Sequence, residues 1–97
     1  MCVVIYRSTR PITDYGFKDQ IQRASLPISN NIAEGFERHS SKEFVRFLSI
    51  SKGSAGEVRS MILLGSRLGY FEDHETKHLL TDVIEISRII SALMKSL

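Results

Sequence analysis

Apolar residues recur at steps of three and four along most of this chain, the spacing by which a helix buries one face. From about Asp14 to Arg38 the series Phe17, Ile21, Ala24, Ile28, Ile32 forms one stripe, with Leu26 to one side. Asp14 is placed to cap this helix, because its carboxylate can accept from the orphan amides of the first turn. Pro27 interrupts the stretch: it donates no backbone hydrogen bond and clashes with the carbonyl of Arg23, at ~3 kcal/mol in an ideal helix. A kink near Pro27, or two helices in series, is expected over residues 14–38.

Ser40 and Glu43 have capping-box spacing, each side chain able to satisfy a backbone amide of the other. They open a third segment, about 41–68, with Phe44, Phe47, Leu48, Ser51, Ala55, Val58, Ile62 and Gly65 as its stripe. Gly69 suits the left-handed residue after the helix end, with Arg67 in the last turn. Gly53 and Gly56 inside this helix cost ~1 kcal/mol each relative to alanine. Close approach of another backbone at that level is the expected offset. A fourth segment, about 74–97, has Asp73 as expected N-cap and Glu75 in the first turn. Its inner stripe is Leu79, Leu80, Val83, Ile86, Ile90, Leu93, Met94 and Leu97, while Ile84 and Ile89 fall outside it. A helix apolar on more than one side suggests a subunit interface. The first segment, Cys2–Thr9, is rich in β-branched residues and fits a strand or the last two turns of a helix, ended by Pro11.

Composition narrows the class. Ninety-seven residues, 42% of them apolar, make one domain with one modest core. No apolar run approaches the ~20 residues that cross a bilayer, and Cys2–Ile5 lacks the basic leader of a signal peptide. The single cysteine excludes an internal disulfide and a cysteine-rich zinc site, which fits a cytoplasmic setting. The net charge of +2 is too mild to imply a nucleic-acid partner by itself.

Candidate chemistry is sparse. His74 and His78 share a helix face, but neither they nor His39 has the neighbours of a zinc site, and solvent exposure is expected. Cys2 reads as a packing residue. There is no phosphate loop, dinucleotide fingerprint or serine elbow, so no catalytic residue, metal or cofactor is assigned and no enzyme is expected. The most unusual run is Asn30–Arg38, where Asn31 and Glu34 lie on one face with Arg23 two turns upstream. Ser54 and Glu57 could meet them from the next helix. Glu34 and Glu57 could act as an acid/base pair, or pair with Arg23, Arg38 or Arg59 and, with Asn31 and Ser54, form a buried network that sets helix register. The second use is the expectation here. Basic residues concentrate in the middle of the chain, where Arg38, Lys42 and Arg46 recur every four residues and Lys52 and Arg59 follow. They form either a solvated face or a phosphate-contacting one.

Several runs together are specific: Asp19–Ser25, then Asn31-Ile32-Ala33-Glu34-Gly35-Phe36-Glu37-Arg38, then Ser41-Lys42-Glu43-Phe44 with Phe47-Leu48. Lys52-Gly53-Ser54-Ala55-Gly56-Glu57 and Leu68-Gly69-Tyr70 follow. The chain from about Tyr6 to Leu97 resembles the four-helix bundle proteins encoded in intervening sequences of bacterial 23S ribosomal RNA genes. Arg23, Asn31, Glu34, Gly35, Ser54 and Glu57 match that family's signature positions. The resemblance implies an all-α, up-down-up-down four-helix bundle, its first helix shortened to about residues 2–9, assembled as a homopentamer and without established enzymatic activity. A related group, the accessory proteins of diversity-generating retroelements, binds nucleic acid, which extends to this chain only by analogy. Two departures stand out. Pro27 replaces a usual serine, and Met1 falls inside the family's first helix, as a truncation or a misassigned start would place it. The expected function is a non-enzymatic oligomer that binds RNA or DNA through repeated basic surfaces at Arg38, Lys42, Arg46, Lys52 and Arg59. The alternative is a protein-interaction scaffold.

Overall fold

The computed structural model describes residues 1–97 and consists of four helices: α1 (Cys2–Thr9), α2 (Tyr15–Phe36), α3 (Ser41–Arg67) and α4 (Asp73–Ser96). Loops of four or five residues join them, so consecutive helices run antiparallel. The bundle is 43 Å long and 21 by 17 Å across. α3 packs on both α2 and α4, and α1 lies against α2. The first segment is thus a helix, not a strand. Its β-branched residues give way to tertiary packing, because Ile5 is fully buried.

Burial follows the periodicity. Ile5, Ile21, Leu48, Val58, Ile62, Leu79, Val83 and Ile90 are nearly solvent-free and form one continuous core. Ile32, Phe44, Leu80, Ile86, Leu93 and Met94 pack around its margin. Leu97 is exposed, at the fraying C-terminal end of α4. Met61, Ile12 and Phe71 are buried core residues outside the expected stripes. The two loop residues cover the bundle end at which α2 starts.

Capping explains three helix limits. Asp14 Oδ1 accepts from the Phe17 amide at 3.1 Å, so α2 starts where the sequence marks it. Ser40 Oγ accepts from the Glu43 amide at 3.2 Å, one half of the expected box. At the end of α3, Gly69 has φ +76°. The Tyr70 amide donates to the Gly65 carbonyl at 2.8 Å and the Gly69 amide to Ser66 at 3.1 Å, a Schellman closure. The N-cap of α4 is Glu72 rather than Asp73, and no side chain caps it. Asp73 occupies the first turn, where its charge still favours the helix dipole.

Pro27 lies within a single continuous α2, which excludes two helices in series. The Pro27 carbonyl accepts from Asn31 Nδ2 at 2.8 Å, and the neighbouring Ile28 carbonyl accepts from Ser51 Oγ at 2.6 Å. Both bonds add to the helix's own ladder, since the acceptor that Pro27 leaves open is the Arg23 carbonyl. Ser51 also ties α3 to α2.

The expectation for Gly53 and Gly56 is overturned. A Cβ at either would meet nothing within 4 Å, because both face solvent on α3. The glycines that permit close packing are Gly35 and Gly65. A Cβ on Gly35 would lie 2.6 Å from the Phe44 ring, and one on Gly65 would lie 2.5 Å from Phe71 and 2.8 Å from Phe17.

Candidate nucleic-acid interface

Charge is unevenly spread along the bundle. Residues 34–54 and 85–97 lie at the half where α2 ends, α3 begins and α4 ends. They carry Arg38, Lys42, Arg46, Lys52, Arg88 and Lys95 against Glu34, Glu37, Glu43 and Glu85, and Arg59 stands at their border as a seventh cation. The rest of the chain, Arg59 included, carries seven basic and seven acidic side chains. The net charge of +2 therefore lies in this half.

Of those seven cations only Arg38 has a carboxylate within salt-bridge distance: its Nη2 lies 2.8 Å from Glu34 Oε2. Arg38 also stacks over the Phe47 ring, 4.7 Å from its centroid. It is thus partly neutralised and held beyond the end of α2, rather than continuing a helical stripe into Lys42 and Arg46. Lys42 and Arg46 do share a turn of α3. With Val45, Ser49, Ile50 and Met94 they line a shallow groove of about 750 Å³. Glu43 also borders it. Lys52 and Arg59 lie seven residues apart on one flank of α3, both exposed.

A second groove, about 430 Å³, runs between α3 and α4. Arg59 enters it from α3, and Ile84, Ser87, Arg88, Ser91, Ala92 and Lys95 form its α4 wall. No carboxylate lines it. Arg88 and Lys95 escaped the reading of the sequence because they belong to a different helix from the central basic run. Their signal was present: they are the only charged residues after Glu85, and a short α3–α4 connection folds them back beside Arg59.

The expected polar network does not assemble within the chain. Glu34 and Glu57 are exposed, Asn31 and Ser54 half-buried, and Arg23 pairs with Asp19 at 2.9 Å, with 78% of its side chain exposed. Asn31 turns back to the Pro27 carbonyl instead. Partners one turn away in sequence satisfy Arg23, Asn31 and Glu34 at lower ordering cost than a cross-helix network, and of the expected pairings only Glu34 with Arg38 forms. The acid/base pair fails with it, since Glu34 is engaged by Arg38 and Glu57 stands in solvent.

Elsewhere, His74 and His78 are exposed beside Glu72 and Asp82, at 3.4 and 3.6 Å. No three His, Cys, Asp or Glu side chains converge as metal ligands would. Cys2 is half-buried, with Ser25 Oγ 3.6 Å from its sulfur. No helix is long and apolar enough to cross a membrane. Far from the cationic half, Tyr70 Oη donates to Asp14 Oδ2 at 2.6 Å. That bond holds the Asp14 carboxyl below its ordinary range, helped by the Phe17 amide, and pushes the Tyr70 hydroxyl above its own.

Among known proteins, a family model described as 23S rRNA-intervening sequence protein matches residues 1–92. A crystal structure at 1.70 Å resolution, of a protein with unknown function from the S23 ribosomal protein family of Bacteroides thetaiotaomicron, superposes with a TM-score of 0.89 at 23% identity. The alignment covers 97% of this chain and 88% of that one. At that identity the likeness shows the fold alone. No curated protein matches the chain.

Proposed function

The chain belongs to the 23S rRNA-intervening sequence protein family, and from that footing we propose a non-enzymatic, homo-oligomeric bundle that binds RNA or DNA through its cationic half. The observation that carries this reading is the set of six cations in or beside that half without a carboxylate partner: Lys42, Arg46, Lys52, Arg59, Arg88 and Lys95. A phosphate backbone supplies the missing counter-charge, and release of its condensed ions drives association. Arg38 contributes least, since Glu34 already answers it. A cytoplasmic setting suits such a partner.

Self-association rests on a different feature. Ile50, Leu63, Leu64, Leu68 and Ile89 are 45 to 57% exposed on α3, its end and α4, and Val3 on α1 is 62% exposed. Exposed apolar side chains of this size on a small bundle are covered most economically by further copies of the chain. Five copies is the number the family resemblance implies. Oligomerisation also repeats each basic surface, multiplying the phosphate contacts.

Fluorescence anisotropy with labelled RNA across a salt series tests the reading. Affinity should fall steeply as salt rises, with a log–log slope of several units. Absence of binding, or binding indifferent to salt, would favour the protein-interaction scaffold instead.

A further inference from the structure

We propose that the α3–α4 groove is a phosphodiester-binding site, with Arg59, Arg88 and Lys95 contacting successive phosphates and the Ser87 and Ser91 hydroxyls donating beside them. The assignment rests on the nucleic-acid reading above and adds to it the α4 residues and the mode of recognition.

Three features of the groove converge. Its three cations have no carboxylate partner and no carboxylate lines its walls, so the site lacks an internal counter-ion. Arg88 and Lys95 lie seven residues apart on one helix, about 10.5 Å along its axis. That interval lets the two side chains reach different phosphates of one backbone. Lys52 precedes Arg59 by the same seven residues on α3, outside the groove's own lining. The two antiparallel helices thus present two cation pairs of equal spacing.

The groove also determines what is not read. None of its lining residues is aromatic, so bases have no stacking platform. Neither Asn nor Gln lines it, the side chains that read adenine edges in bidentate fashion. With Arg59, Arg88 and Lys95 engaged by phosphates, binding in this groove follows the backbone and is indifferent to sequence.

The test uses the full chain, two RNA duplexes of ~20 base pairs with unrelated sequences, and about 50 to 200 mM salt. The variant R88E/K95E is compared with R67E/K77E, which changes net charge by the same amount away from the groove. The groove variant should lose about two units or more of salt slope and bind at least roughly tenfold more weakly, while the control stays near wild type. Wild type should bind both duplexes alike. Circular dichroism checks the fold of each variant, and R88Q/K95Q replaces the charge reversal if that fails to fold. Equal losses in both variants, retained slope in the groove variant, or a strong preference for one duplex would overturn the assignment while leaving nucleic-acid binding intact. Absence of RNA binding by wild type would overturn the broader reading and this site with it.

Discussion

At the scale of residues, two glycine pairs separate local cost from tertiary need. Gly65 is held against the Phe17 and Phe71 rings, so Gly65→Ala should destabilise the fold by ~1–3 kcal/mol through overpacking. Gly53 faces open space, so Gly53→Ala should stabilise by up to ~1 kcal/mol through helix propensity. Urea denaturation of the two variants checks both signs; a neutral Gly65→Ala would mean the rings move aside at no cost. The Asp14–Tyr70 bond makes a matching prediction in pH. Asp14 has its folded pKa lowered, so its contribution is present above the ordinary value of 3.8 and is lost as pH falls through the lowered one. Tyr70 is raised, so its contribution is present below the ordinary value of 10.0 and is lost as pH climbs through the raised one. Tyr70→Phe should flatten stability against pH at both extremes, and thermal melts across the range would show it. Unchanged curves would refute the coupling.

At the scale of elements, α1 depends on a few contacts because it has only eight residues, too few for an isolated helix. Ile5 is its solvent-free anchor. Thr9 Oγ1 donates to the Ile5 carbonyl at 2.7 Å and accepts from Gln22 Nε2 of α2 at 3.0 Å. Ile5→Ala should cost ~2–5 kcal/mol. It should also raise hydrogen exchange in residues 2–9 well above that in α3, and uniform exchange across the chain would contradict this local dependence. By contrast α3, with 27 residues and neighbours on two sides, should tolerate loss of its cap. Ser40→Ala should cost about 1 kcal/mol and leave the other helices intact, as amide exchange can show.

At the scale of the whole molecule, the segregation of charge decides more than the total. A steep salt dependence is expected from a chain of net charge +2 because six cations without a carboxylate partner stand in or beside one half. The exposed apolar side chains of α3 and α4 set the second expectation. Sedimentation at micromolar concentration should give a mass several times that of the chain. Ile89→Glu should reduce it without loss of helicity if α4 forms part of the interface, since burying an unpaired charge is costly. A wild-type monomer would refute self-association.

The sequence by itself determined the three long helices and several of their limits. Periods of three and four placed Ile21, Leu48, Ile62, Leu79 and Ile90 inward, and Asp14, Ser40 and Gly69 marked ends that local hydrogen bonding then enforced. Such signals are legible because donor and acceptor lie within four residues of each other. Tertiary structure decided what depends on facing elements. Gly53 and Gly65 are equally glycine in the sequence, yet only Gly65 meets aromatic rings from other segments. Glu34 and Arg23 share motif spacing with Ser54 and Glu57, yet each found a nearer partner four residues away in sequence. Arg59 was visible as a basic residue. Its company with Arg88 and Lys95 appeared only when the antiparallel α3–α4 hairpin brought side chains about thirty positions apart to one groove.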